Sequence, residues 1–436
     1  MVGRKKRTQN CDKVSHEEDR ISQLPEPLIS EILCHLSTKD AVRTSVLSTK
    51  WRYLWKWVPG LDVEFNTFPN NDLFVSFLER FFVSCKESWI RKLRLNICDP
   101  YRKCDLNSWI DFVTTTPRLR HLAVSYCPTN EIPLSIYKCK TLVHLALVRV
   151  ALADAEIAVS FPCLKIMHLE DVVYPNETML QKLISGSPVL EDLMISTYMS
   201  RKAKVLQVLS HTLKRMNIDE STEFVIDAPL LQSLRTTIHL TKNFKIINVG
   251  FPTKLDIDVV YGNLTYGKSL IHDILTDISR VRDLVITNVI LKEIFSNSNS
   301  GPVLQFRDLS SLNAKLCKSD LEMLPTILES CPKLESFTLE IIKDQSMRSH
   351  KEKREPNVMF SAVPECLESS LKFVELKRSI PSYEGEMELI RYFLKNSKIL
   401  EKLRLNVYYT YKAKCAFLTE VVAIPRCSST CKVLVL

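Results

Sequence analysis

The chain has 436 residues, 45% of them hydrophobic, which is enough for two or three domains with sizeable cores. Its formal charge is +9, but 59 Lys and Arg are spread along the whole chain against 50 acids. The dense basic stripe of a dedicated nucleic-acid binder is therefore missing, and nucleic acid is not expected as a partner. The 14 cysteines form no C-x-x-C pair, and no apolar run approaches the roughly 20 residues that span a bilayer, so neither a zinc framework nor a membrane partner is expected.

With only eight glycines there is no G-x-G-x-x-G and no Walker-type loop; G-x-S-x-G and H-E-x-x-H are absent too. No cofactor, metal or catalytic constellation is expected, although a site assembled purely by tertiary contact would escape this reading. No apolar segment of signal-peptide type follows the N-terminal basic residues. The chain therefore reads as intracellular, in nucleus, cytoplasm or both, with reduced thiols.

Residues 1–18 are polar, include Arg4-Lys5-Lys6-Arg7, and read as a disordered basic tail, either a nuclear-import patch or a solvated end. Residues 19–60 turn helical. Leu28, Ile29, Ile32, Leu33 and Leu36 share one face at spacings near four. Pro25 and Pro27 suit a first turn whose N–H groups have no partner in any case. Ser37 is placed to cap a second helix, with Asp40 near its positive end and Val42, Ser45 and Val46 along it. Ser48 is placed to cap a third, which brings Trp51, Leu54, Trp55 and Val58 to one side. About forty residues bury that much apolar surface poorly, so the unit either packs on the next domain or docks on a partner.

The series Leu24-Pro25, Leu28, Ile32-Leu33, Leu36, Asp40, Val42, closing on Val46-Leu47-Ser48-Thr49-Lys50-Trp51-Arg52-Tyr53-Leu54-Trp55, resembles the F-box. The resemblance implies binding to a Skp-type adaptor and, through it, to a cullin-RING ligase. The adaptor-binding set it implies is Leu24, Pro25, Leu28, Ile32, Leu33, Leu36, Val42, Trp51 and Trp55. For Trp51 a core role and an interface role remain equally open.

Residues 61–342 carry a recurring apolar-x-x-apolar-x-apolar cassette at the period of leucine-rich repeats, roughly 20–30 residues. Copies begin at Ile90, Leu119, Leu142, Leu164, Leu190, Leu213, Val281, Leu309 and Leu334, and again at Leu371 and Leu400, with weaker ones near Leu231 and Pro252. The last two apolar residues of a cassette alternate as in a half-buried strand. One such unit cannot hide its apolar face alone, whereas stacked units share a continuous core, which predicts a parallel-sheet solenoid with helices or loops on its convex side. Cys98 and Cys127 read as buried turn residues. The positions flanking the central strand leucine should form a concave, target-binding face that includes His121, Ser125, His144, Asp192, Met194, Arg215 and Asn217. His121 and His144 occupy equivalent positions in neighbouring repeats, about 5 Å apart. His168 reads as shifted by one position, so no third metal ligand is in register.

Residues 343–356 read as a charged, solvated loop. In residues 357–436, Val363-Pro364-Glu365-Cys366-Leu367, Leu371-Lys372-Phe373-Val374, Gly385, Glu388 to Asn396 and Leu400-Glu401-Lys402-Leu403 resemble the FBD domain, as two further strands joined by a helix that continue or cap the solenoid. The order F-box, repeats, FBD resembles the plant F-box/FBD/leucine-rich-repeat family. The fold expected is α/β, with a three-helix F-box ahead of a leucine-rich-repeat solenoid. The resemblance implies a non-catalytic substrate-recognition subunit of an SCF-type ligase. The alternative is a scaffold of the same build that takes no part in ubiquitination. The target protein is not legible in the residues.

Overall fold

The computed structural model describes residues 21, 23–84, 90–97, 106–126, 131–154, 158–197, 205–220, 223–239, 244–249, 254–260, 281–295, 304–342, 363–378, 386–406 and 411–436. The basic tail, the charged loop 343–356, Cys98, Cys127 and Gly385 lie outside them.

The N-terminal module opens with α1 (Glu26–Cys34), whose N-cap is Pro25 and which takes Pro27 in its first turn. Ser37 caps α2 (Thr38–Arg43), its side chain accepting from the Asp40 N–H at 3.2 Å and donating to the Asp40 carboxylate at 2.8 Å. The cap reads as expected, but the helix stops at Arg43 and continues as one 3-10 turn over Thr44–Val46. The expected third helix does not start at Ser48. Residues 49–53 are turns, the Ser48 hydroxyl is buried without a hydrogen-bond partner, and the last helical piece is a 3-10 turn over Leu54–Trp57.

The strands, in chain order, are β1 (Gly60–Glu64), β2 (Lys92–Asn96), β3 (His121–Ser125), β4 (His144–Val148), β5 (Ile166–Glu170), β6 (Asp192–Thr197), β7 (Val205–Leu209), β8 (Arg215–Glu220) and β9 (Glu223–Ala228). They continue as β10 (Ser233–His239), β11 (Phe244–Val249), β12 (Lys254–Val260), β13 (Asp283–Ile286), β14 (Ser311–Cys317), β15 (Ser336–Ile342), β16 (Phe373–Arg378), β17 (Lys402–Asn406) and β18 (Lys432–Val435). Among the described residues, fifteen of them form one sheet in the order β1-β2-β3-β4-β5-β6-β8-β10-β12-β13-β14-β15-β16-β17-β18. Every pairing is parallel, so the sheet grows one repeat at a time, as the cassettes require. The cassette residues lie inward and in register: Leu93, Leu122, Leu145, Met167, Leu193 and Met216 form one buried row. Strands sit closer together than helices pack, so the sheet takes the inner, concave side of the solenoid.

Helices back the sheet at both ends, as α3 (Asn71–Ser84), α4 (Leu106–Thr114) and α5 (Met179–Ser185) before the middle, and as α6 (Asn288–Phe295), α7 (Leu324–Glu329), α8 (Glu365–Ser369), α9 (Glu386–Asn396) and α10 (Tyr411–Ala423) after it. The middle departs from the expectation of helices and loops. There the backing is a second parallel sheet, β11-β9-β7, whose Leu206, Val208, Phe224 and Ile226 fill the core. Runs such as Val-Leu-Gln-Val-Leu and Glu-Phe-Val-Ile-Asp-Ala have the period-two alternation of a half-buried strand, with β-branched and aromatic side chains. The Gln181 side chain of α5 bonds both the N–H and the C=O of Leu209, at 3.2 and 3.4 Å, and so serves the outer edge of β7 as a neighbouring strand would.

Two small devices fix the register. At the start of most strands of the large sheet, one carbonyl of the preceding repeat accepts two successive N–H groups, as Arg120 O does from Val143 and His144, and Lys165 O from Glu191 and Asp192. A hydroxyl next to the first cassette leucine reaches back one repeat to that repeat's own leucine carbonyl. Thr141 reaches Leu119 at 2.7 Å, Thr212 reaches Leu190 at 2.8 Å and Ser370 reaches Leu334 at 2.9 Å.

The leucines whose carbonyls these hydroxyls serve are themselves buried, so removing the donor leaves an acceptor short of a partner. Thr212→Val is expected to lower stability by about 1–2 kcal/mol in a urea melt, and Thr212→Ser to lie close to the unsubstituted protein. Equal melts for both variants would show that the hydroxyl contributes nothing.

Candidate functional site

Two surfaces have the chemistry of protein recognition, one on the N-terminal module and one on the concave face. The module's own core is Ile29, Leu33, Ala41, Trp51 and Leu54, with Leu24, Trp55 and Val58 packed against it. On α1 the apolar residues therefore form two stripes rather than one face. Ile29 and Leu33, four apart, are 0% exposed, whereas Leu28 and Ile32, also four apart, are 53% and 43% exposed, and Leu36 beyond the helix is 39% exposed. A helix of nine residues that is apolar on two sides has more such surface than the module covers.

The structure divides the sequence-derived adaptor set accordingly. Pro25, Leu28, Ile32 and Leu36 are exposed, and Leu24 and Val42 are half-buried. Leu33 and Trp51 (3% exposed) belong to the module's core, where their side chains hold the helices together; this departs from the expectation for Leu33 and matches the core role of the two left open for Trp51. Trp55 bridges the module's core and the solenoid's, with its ring centroid 6.2 Å from that of Phe81 on α3. Val46, Leu47 and Tyr53 are exposed apolar side chains that the sequence reading left out of the set. Their spacing matches no helical face, because they lie on 3-10 and turn segments.

The module is fastened to the solenoid at one end. Thr38 Oγ1 accepts the N–H of Asp62 on β1 at 2.7 Å, and Lys50 Nζ bonds the Leu24 carbonyl at 2.6 Å to close the module's own loop.

On the concave face the register sets His121, His144, Ile166, Asp192 and Arg215 in one row. Ala123, Ala146, His168, Met194 and Asn217 form the next, and Ser125 the one after, where it accepts from Arg149 at 3.3 Å. His121 and Arg215 are exposed; Ser125, His144, Asp192, Met194 and Asn217 are half-buried. Arg215 Nε and the Asp192 carboxylate pair at 2.9 Å.

The rings of His121 and His144 are 5.9 Å apart. His168 is offset by two positions rather than one, which keeps it on the same face, and its ring lies edge-on to His144 at 5.2 Å. The face thus holds three imidazoles in file where sequence reasoning counted two. The signal was present, because the middle position of a cassette faces the same way as the one before its central leucine. Among the described residues, no group of three His, Cys, Asp or Glu is placed to hold a metal ion. Burial lowers the affinity of His121 for protons, with the cations Lys92 and Arg120 adding to the effect. His144 is lowered first by burial and then by His168 and His121, against a smaller opposing pull from Asp192.

Comparison with known proteins gives three family matches. The F-box domain matches residues 21–61, the LRR repeats of FBD-associated F-box protein At5g56370 match residues 106–258, and FBD matches residues 360–405. The chain is similar to F-box/FBD/LRR-repeat protein At1g51370 of Arabidopsis thaliana, with 66% identity over 437 aligned residues covering 100% of both chains. It is also similar to F-box/FBD/LRR-repeat protein At5g53840 of the same organism, with 46% identity over 98% of each.

If the two stripes of α1 have separate jobs, Leu28→Asp combined with Ile32→Asp should leave stability within about 0.5 kcal/mol, because both side chains are solvated. Leu33→Ala should cost about 2–4 kcal/mol in the same denaturation experiment. The histidines make a second expectation. Their folded proton affinity lies below the unfolded value of about 6.5, so their contribution is full above that pH and is lost as pH falls through the folded values. The stability of His121→Gln combined with His144→Gln should therefore fall less steeply between pH 7 and pH 5 than that of the unsubstituted chain.

Proposed function

The chain belongs to the F-box/FBD/LRR-repeat family, and from that premise we propose that it is the target-recognition subunit of an SCF-type cullin-RING ubiquitin ligase. The exposed stripe of α1 carries the proposal. Leu28 and Ile32, with Pro25 before them and Leu36 after, present apolar surface on a helix whose neighbouring stripe already fills the module's core. Solvated leucine and isoleucine at that spacing are explained by a partner that covers them, and in an F-box that partner is a Skp-type adaptor.

The concave face supports the other half of the reading. Its rows mix imidazoles, small apolar side chains and the Asp192–Arg215 pair, a surface suited to a protein segment rather than to a small apolar molecule. Such a subunit needs no catalytic group of its own. It accelerates ubiquitin transfer by holding a target near the ligase's active subunits, so that effective concentration takes the place of chemistry in this chain.

The test is co-purification with a Skp-type adaptor and a cullin. The unsubstituted chain should bring down both, and Leu28→Asp combined with Ile32→Asp should lose both while keeping its melting temperature. Retention of the adaptor by the double variant would place the docking face elsewhere on the module. An adaptor complex that never contains cullin would sink the ligase reading.

A further inference from the structure

Where α2 meets the first sheet strands, a cleft of about 410 Å³ opens between the N-terminal module and the solenoid. Its charged lining is Lys39 from the module, Asp62 and Glu64 on β1, and Arg91, Lys92 and Arg94 at β2. Four cations face two carboxylates, so the lining carries a net formal charge of +2. Both β1 and β2 are held in register by the sheet, with Asp62 opposite Arg94, so the charges are set by backbone that cannot readily move apart.

The pairing inside the cleft is incomplete. Lys92 Nζ and Arg94 Nη1 share the single carboxylate of Asp62, at 3.7 and 3.6 Å, too long for charge-assisted hydrogen bonds, which run at about 2.7–2.9 Å. Arg91 pairs with no carboxylate among the described residues. Lys39 Nζ is turned to the Thr67 carbonyl and lies 5.1 Å from the centre of the Phe68 ring. Two guanidinium forks thus retain donors, and the excess positive charge of the lining favours an added anion. A carboxylate ligand brings one negative charge. A phosphate monoester brings close to two at neutral pH and three acceptor oxygens, which match both the excess charge and the spare donors.

We propose that this cleft is a binding site for a phosphate monoester, with Arg91 and Arg94 as its principal donors. It borders the exposed stripe of α1 at Leu36, which is part of its lining, but its two principal donors lie on the solenoid, at the start of β2. The phosphate belongs either to a phosphorylated side chain of a protein or to a small phosphorylated metabolite, two sources with one chemistry.

Calorimetry on the full chain at pH 7.5 decides it. Phenyl phosphate should bind saturably and at least tenfold more tightly than phenyl sulfate, which has the same shape and a single charge. Affinity should fall below pH about 6, where the monoester takes up its second proton. Arg91→Ala combined with Arg94→Ala should weaken phenyl phosphate at least tenfold with an unchanged melting temperature. Arg91→Lys combined with Arg94→Lys, which keeps the charge and loses the forks, should fall between. A phosphoserine tripeptide binding more tightly than inorganic phosphate assigns the site to a phosphorylated protein, and the reverse order assigns it to a small metabolite. No saturable binding of phenyl phosphate, equal affinity for the sulfate, or indifference to the double alanine substitution would each overturn the proposal.

Discussion

Each strand of the large sheet turns two apolar side chains inward, and no repeat has enough chain of its own to cover them. Leu122 and Val124 are shielded by Leu93 and Leu95 on one side and by Leu145 and Leu147 on the other, and so on along the stack. The stability of a repeat is therefore largely a property of its neighbours. The single carbonyl that receives two N–H groups, and the hydroxyl that reaches back to the previous leucine, both run between repeats rather than within them. The same constraint makes the first strand a liability, since β1 has β2 on one side only. The N-terminal module answers it, with Thr38 bonding the Asp62 N–H and Trp55 reaching from one core into the other.

The alternation that fills the core also composes the open face of the sheet. Every residue between two buried ones faces the open side, so rows of side chains cross the sheet at fixed spacing whatever their chemistry. In the first strands that brings His121, His144 and His168 into file, and in the middle it sets Asp192 against Arg215 and Arg235 against Asp256, the latter at 3.3 Å. The module follows a different logic. There a short helix meets both its own core and the solvent with aliphatic side chains, so the buried and the exposed stripe lie on adjacent faces of one element.

Much of this was legible in the residues. The cassettes located the strands from β2 to β6, β8 and those from β13 to β17, with weaker copies at β10 and β12, because a repeating pair of inward apolar residues leaves little choice of register. β1 was not read, since Leu61 and Val63 follow the tryptophan cluster without a cassette's leading leucine, and β18 was missed because Val433 and Val435 stand in for leucines. The middle backing sheet was invisible for a different reason. Alternating apolar residues in β7 and β9 look like further concave strands until the topology separates them. On α1, spacing near four identified an apolar helix but could not divide Ile29 and Leu33 from Leu28 and Ile32, because which stripe is inward depends on where Trp51 and Leu54 lie. His168 was misjudged by one position, and it took the strand pairing to bring it back beside His144.

The bond between Thr38 and Asp62 has a geometric meaning beyond closing an edge. It anchors strand one to the helical module, and from there the sheet advances by one interstrand step of about 4.8 Å per repeat, some 65 Å along the arc to β18. The molecule is in effect a graduated gauge whose zero mark is fixed. The open face of a given strand is held at a set reach from the helices, so lengthening or shortening the stack by a single repeat would re-aim that face without touching the module.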